Sequence, residues 1–241
     1  MIHTAVIYVW TVFDTLVMGL LAILTSFFDR SGNAVHRVAR AWAQAILFIS
    51  GVTVKVTGLE RIDPNRSYIY MSNHQSNFDI PVLLGRFPVQ FRWLAKAELF
   101  KIPIFGRAMR GAGYISIDRA NRVSAIESLN TAAQTIRNGA SVMIFPEGTR
   151  SRSGQIQPFK KGGFVLAVDA QVPIVPILIR GTYPIMPKGS FLIRPQAVSI
   201  DVLEPVETAA YRRKDKDALM ARIHQAMTDH WHRQTDEKQS C

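Results

Sequence analysis

Residues 5–28 read AVIYVWTVFDTLVMGLLAILTSFF, a run with no Lys or Arg and a single acid, Asp14. As a helix it would be about 36 Å long at ~1.5 Å per residue. That is enough to cross a hydrocarbon core of roughly 30 Å. Asp14 sits mid-run and would cost about 2.5–3.5 kcal/mol at a bilayer centre, which weighs against a simple span. A signal peptide does not fit: no positive region precedes the run, the run is too long, and no small-x-small cleavage site succeeds it. FDRSGN (28–33) reads as a turn, and residues 33–50 show helical amphipathicity. Arg30, Arg37 and Arg40 lie just after the apolar run and by the positive-inside rule place the rest of the chain in the cytoplasm. Residues 1–50 are therefore expected to be a two-helix membrane anchor that embeds in or lies on the inner leaflet. The competing reading is a buried helix of a soluble core.

The rest of the chain is basic. The net charge is +11, and residues 29–203 hold 22 basic against 10 acidic side chains. Eight of the basic residues fall between Arg86 and Arg122. A chain both basic and 48% apolar points to anionic ligands and membrane surfaces, and excludes a disordered class. A nucleic-acid binder would share the charge. Here, however, the basic residues are interleaved with core-like apolar runs and no binding motif is evident. The only cysteine is Cys241, so no intrachain disulfide can form and no cysteine-based metal site is expected.

From residue 52 the pattern turns to alternating strands and helices. Strands are expected near 52–57, 68–72, 89–95, 113–118, 142–145, 172–179 and 197–203, with helices near 78–86, 98–110, 121–138, 160–170 and 214–234. This predicts one α/β domain over 51–241, with a mixed, largely parallel sheet flanked by helices. Ligands of such sheets bind beyond the carboxyl ends of the strands, so the residues just after each strand are the first candidates for chemistry.

Four stretches qualify. After the strand at 68–72 comes NHQSNFD, in which His74 and Asp79 are five apart. A carboxylate within reach of an imidazole fixes its tautomer, the arrangement of a general base for a hydroxyl. Ser76-x-x-Asp79 also reads as a capping box, a purely structural alternative. GYISIDR ends in Arg119, placed to grip a phosphate or to pair with Asp118. FPEGTRSRSG combines glycine, hydroxyls and arginines in a loop after an apolar strand, a composition that favours an anion. VPIVPI carries two prolines in an apolar run, which argues for an edge strand or a wall without ladder donors.

In their order and type, these four stretches resemble the four sequence blocks of the glycerolipid acyltransferase family. The resemblance runs from about residue 50 to 205. It implies transfer of an acyl group from acyl-CoA or acyl-carrier protein to the sn-2 hydroxyl of 1-acyl-sn-glycerol-3-phosphate, giving phosphatidic acid. It implies His74 as the base supported by Asp79, and Arg119 and Lys96 as phosphate contacts. Glu147, Gly148, Thr149 and Arg150 would position the glycerol phosphate, and Pro173 and Pro176 would lie on the acyl-donor side. No cofactor, metal or nucleic-acid partner is implied, only the thioester co-substrate, the lyso-lipid and membrane lipids, with the catalytic domain on the cytoplasmic face of the cytoplasmic membrane. A sister enzyme using another lyso-lipid or glycerol-3-phosphate is the near alternative. A non-catalytic membrane lipid-binding protein is the distant one.

Overall fold

Seven strands form one sheet in the order β1-β7-β6-β2-β5-β3-β4. The structure is a computed structural model and describes residues 1–118 and 121–239. The strands are β1 (Thr53–Thr57), β2 (Ile69–Ser72), β3 (Arg92–Lys96), β4 (Ile115–Ile117), β5 (Val142–Ile144), β6 (Ile174–Arg180) and β7 (Ala197–Val202). Every pairing is parallel except β6 with β7. The helices are α1 (Ile2–Ser26), α2 (Asn33–Ile49), α3 (Asp79–Arg86), α4 (Phe105–Gly111), α5 (Arg122–Arg137), α6 (Gly162–Ala170) and α7 (Lys216–Gln239).

Side chains alternate across the sheet, so each face builds its own core. Tyr70, Trp93, Met143 and Val175 pack under α2 and α3 with Leu47, Val82 and Leu83. Ile69, Met71, Val142 and Ile174 pack on the other face against α5, α6 and α7, meeting Ala132, Phe164 and Ile223. The central strands are buried on both faces, which is why β2, β5 and β6 read as unbroken apolar runs.

The proline-rich β6 is a central strand, not the edge strand its composition predicts. Pro176 is tolerated because its nitrogen faces the place where β7 has run out. The β6–β7 pairing starts one residue later, at Ile177↔Val202, and the neighbouring chain bulges through 203–206 before Ile174 and Val206 exchange bonds. The helix expected over 98–110 is also two pieces. A 3₁₀ turn at Ala97–Lys101 is followed by α4, with a break at Pro103-Ile104. Ile104 takes φ +62° and Phe105 N–H closes back onto Pro103 O at 2.6 Å, a tight γ-turn.

The N-terminal helices pair as a hairpin. Ala22 packs with Val35, and farther along Trp42 Nε1 donates to Thr15 Oγ1 at 3.0 Å. α1 is long and apolar enough to cross a membrane by length and composition. Asp14 is turned inward and buried, while Val9, Val12, Phe13, Leu16 and Leu20 are exposed. The helix lies along the domain and is held near both ends. Thr4 exchanges hydrogen bonds with the backbone of Ile193, and Tyr8 Oη donates to Phe191 O at 3.1 Å. Toward its C-terminus α1 crosses α4 through glycines: a Cβ on Gly19 would meet Ile104 Cγ2 at 2.7 Å, and one on Gly111 would meet Ser26 Cβ at 2.8 Å. Arg92 locks the connection between α1 and α2. It is buried, and its guanidinium donates to Ser31 O at 2.9 Å and Asn33 Oδ1 at 2.6 Å.

Gly106 is the tightest contact in α4, since an added Cβ would collide with the Phe100 carbonyl oxygen. Backbone cannot give way as a flexible side chain can, so Gly106→Ala is expected to cost about 2–3 kcal/mol. Thermal unfolding followed by circular dichroism measures this. An unchanged Tm would mean that the backbone of 100–106 shifts freely.

Candidate active site

β2 and β5 are neighbours in parallel register, with Met71 opposite Ile144. Their carboxyl ends therefore deliver the NHQSNFD and FPEGTRS segments to the same place. His74 comes just after β2, and its Nδ1 lies 2.7 Å from Asp79 Oδ2. Asp79 is the first residue of α3 and fully buried. The same Oδ2 accepts the backbone N–H groups of Gln75 at 2.6 Å and Ser76 at 2.8 Å. An oxygen gathering three donors assigns the proton to Nδ1 and leaves Nε2 as the acceptor. Half of the capping box is present, since Asp79 Oδ2 takes the Ser76 N–H, but Ser76 Oγ accepts the Phe78 N–H at 3.2 Å in place of the Asp79 N–H. Asp79 points back into the turn that precedes α3, and Ser76 Oγ donates to Met186 O at 2.9 Å.

The imidazole is further held by stacking. Its ring lies on Phe145, the residue after β5, with centroids 3.9 Å apart and planes 9° from parallel. Phe145 stacks in turn on Trp93 at 5.3 Å. The backbone of His74 is fixed from the third block: its N–H donates to Glu147 Oε1 at 2.8 Å and its carbonyl accepts Ser151 N–H at 2.7 Å. Glu147 Oε2 also accepts Gln157 N–H at 3.2 Å. Burial pushes the Glu147 carboxyl up to about 8, against the two backbone donors that favour its charge. At neutral pH this side chain is mostly protonated.

A cavity of about 550 Å³ opens at His74 and runs beneath the N-terminal hairpin. Its mouth carries Lys96, Gly148, Thr149 and Arg150. Its interior is apolar, walled by Met18, Gly19 and Ala22 of α1, by Ala39 and Trp42 of α2 and by Met109 of α4. Lys96 is exposed and pairs with Glu98 at 3.0 Å. Among the described residues, no group of three or more His, Cys, Asp or Glu side chains is placed to hold a metal. An imidazole with a free Nε2, an apolar slot and a basic mouth can deprotonate a hydroxyl on an amphiphile whose headgroup is anionic.

Three expectations fare differently. Glu147 does not line the cavity: it is buried behind His74 as a brace. Pro173 and Pro176 do not line it either. Pro173 precedes β6, and Pro176 is opposite Met71 within the sheet, on the amino side of the strand ends. Arg119, beyond β4, lies outside the described residues, as does Cys241.

The model of the Acyltransferase family matches residues 53–180, which contain all four motifs. This chain belongs to that family. A 1-acyl-sn-glycerol-3-phosphate acyltransferase of Limnanthes douglasii is 33% identical over 221 residues, covering 91% of this chain and 77% of that relative. A chloroplastic 1-acyl-sn-glycerol-3-phosphate acyltransferase of Brassica napus is 38% identical over 165 residues, 68% of this chain. This chain spans 47% of the length of that relative. The crystal structure of the 1-acyl-sn-glycerophosphate (LPA) acyltransferase PlsC from Thermotoga maritima superposes with a TM-score of 0.81 at 28% identity, covering 97% of this chain and 95% of the other.

Several residues of this acyltransferase's site escape a reading of its motifs for polar chemistry. Phe145 stands inside FPEGTRS, yet its role as a platform for the imidazole arises only from the pairing of β2 with β5. Trp93 and Trp42 reach the cavity from β3 and α2, outside the four motifs. Lys188 comes from the β6–β7 loop and lies against the third block at 3.0 Å from Thr149 Oγ1.

Proposed function

We propose that the protein transfers an acyl group from a thioester to the sn-2 hydroxyl of 1-acyl-sn-glycerol-3-phosphate. The observation that carries this reading is the junction at His74: the free Nε2 stands where an apolar cavity meets a basic mouth. The cavity accommodates an acyl chain and the mouth a phosphate. The names of the relatives support the same substrate.

His74 Nε2 takes the proton of the hydroxyl as its oxygen attacks the thioester carbonyl, while Asp79 holds the resulting imidazolium. Collapse of the tetrahedral intermediate breaks the carbon–sulfur bond. The thiolate departs and takes up the proton from the imidazolium or from water. Lys96, Arg150 and Arg119 hold the phosphate, and fixing the acceptor in this way supplies orientation. The donor is acyl-CoA or acyl-carrier protein.

The exposed apolar face of α1 lies in one leaflet of the membrane. A helix bound to its own domain near both ends fits that placement better than a span, and Asp14 is kept out of lipid by facing inward. The domain then works at the cytoplasmic face.

The test is transfer by purified protein to vesicles carrying 1-acyl-sn-glycerol-3-phosphate, with acyl-CoA and acyl-carrier protein in separate arms. Thiol release and phosphatidic acid formation are expected with at least one donor. Transfer only to another lyso-lipid or to glycerol-3-phosphate would make it a sister enzyme. Lipid binding without thiol release from either donor would reject the catalytic reading.

A further inference from the structure

The loop between β6 and β7, residues 181–196, lies beyond the stretch matched by the family model, which ends at 180. None of its residues lines the cavity, yet it is bonded to the first and third blocks beside it. Met186 O accepts Ser76 Oγ of the first block at 2.9 Å. Tyr183 Oη donates to Arg152 O at 2.8 Å, and the Tyr183 ring packs on Gly154, both in the third block. Arg194 N–H closes the loop onto Ile185 O at 3.0 Å. From this braced loop Lys188 Nζ donates to Thr149 Oγ1 at 3.0 Å and reaches Arg150 O at 3.4 Å. Thr149 and Arg150 are mouth residues of the cavity.

The charges make this contact informative. Lys96 at the same mouth is already paired with Glu98, whereas the hydrogen-bond partners of Lys188 are a hydroxyl and a carbonyl, both neutral. A cation held through neutral groups leaves a local positive field that an anion would satisfy. The bond to Thr149 adds direction. A hydroxyl that accepts from an ammonium keeps its own hydrogen free to donate, so Thr149 presents an O–H to whatever Lys188 attracts.

We propose that Lys188 binds the acceptor's phosphate, together with the Thr149 hydroxyl, as a substrate-binding residue outside the four family motifs. The proposal rests on the acceptor reading given above. It is tested with Lys188→Met, which removes the charge and keeps the length, and with Lys188→Arg, which keeps the charge. For Lys188→Met the KM for 1-acyl-sn-glycerol-3-phosphate should rise about tenfold or more, the scale of a lost charge-assisted hydrogen bond. The kcat should stay within about twofold and the KM for the acyl donor should not change. Lys188→Arg should restore most of the loss, and raised salt should narrow the gap between wild type and Lys188→Met.

A second readout is the Kd of a water-soluble, short-chain 1-acyl-sn-glycerol-3-phosphate by calorimetry without donor. It should weaken by the same factor, while the Kd of the matching monoacylglycerol, which lacks the phosphate, should not move. Unchanged acceptor KM and Kd in folded Lys188→Met would overturn the proposal. So would a donor KM that rises in place of the acceptor KM, or a Lys188→Arg variant as poor as Lys188→Met. A wild type that binds the acceptor without turnover would reject the proposed function, and the Kd comparison would still decide Lys188. A wild type that binds no acceptor would overturn both.

Discussion

His74→Ala is expected to lower kcat by about 10²–10⁴-fold, the usual contribution of a positioned general base, with the folded state retained. The side chain is partly exposed, and its loss removes one hydrogen bond and one stacked face. Asp79 keeps the backbone N–H groups of Gln75 and Ser76 as partners. Activity should therefore collapse while the thermal transition moves little. Asp79→Asn should behave differently. An amide oxygen in the place of Oδ2 can take all three donors but carries no negative charge for the imidazolium, and the NH2 falls at the buried position where Oδ1 has no partner, so both rate and Tm should fall. Thiol-release kinetics with circular dichroism on both variants reads the contrast. A His74→Ala protein with near-normal turnover would remove the imidazole from the mechanism.

Glu147 carries the second large effect. In Glu147→Ala, the N–H groups of His74 and Gln157 lose their acceptor and a buried volume opens. The expected cost is about 2–4 kcal/mol in stability and roughly 10²-fold in kcat as the His74 backbone loosens. Glu147→Gln keeps a carbonyl for the His74 N–H and should lose much less. The carboxyl also ties stability to pH. Its folded value, about 8, stands above the ordinary 4.5. Below about 4.5 the group is protonated in both states and costs nothing. As pH rises from there toward 8, the unfolded chain releases its proton while the folded chain keeps it, so stability falls; above 8 the loss is complete. Wild type minus Glu147→Gln, measured by urea unfolding between about pH 5 and 9, should show this declining difference. A flat difference would mean the buried carboxyl is not the source.

The sheet and most of its strands are legible in apolar periodicity, and so is the placing of the chemistry after β2 and β5. What periodicity cannot supply is strand order. That β5 enters between β2 and β3, and β7 between β1 and β6, depends on pairings between distant segments. Those pairings decide that Phe145 meets His74. Pro176 misleads because the local rule for proline assumes a continuous ladder on both sides, and here the ladder is interrupted where its N–H is missing. A single helix over 98–110 would have to pass through Pro103, and proline in a helix interior is a break signal that the structure obeys. Lys188 lies outside every motif, in a loop whose sequence shows no pattern; only its fold brings it to Thr149.

The β6–β7 loop is bonded to α1 through Phe191 and Ile193 and to the third block through Tyr183 and Lys188. A few residues thus act as a strut between the helix proposed to lie in lipid and the groups proposed to hold the headgroup. On the proposed reading, the depth of the His74 imidazole relative to the lipid surface is a fixed dimension of the protein. Lengthening the strut by one or two residues would misplace the reacting hydroxyl vertically without touching any residue of the chemistry.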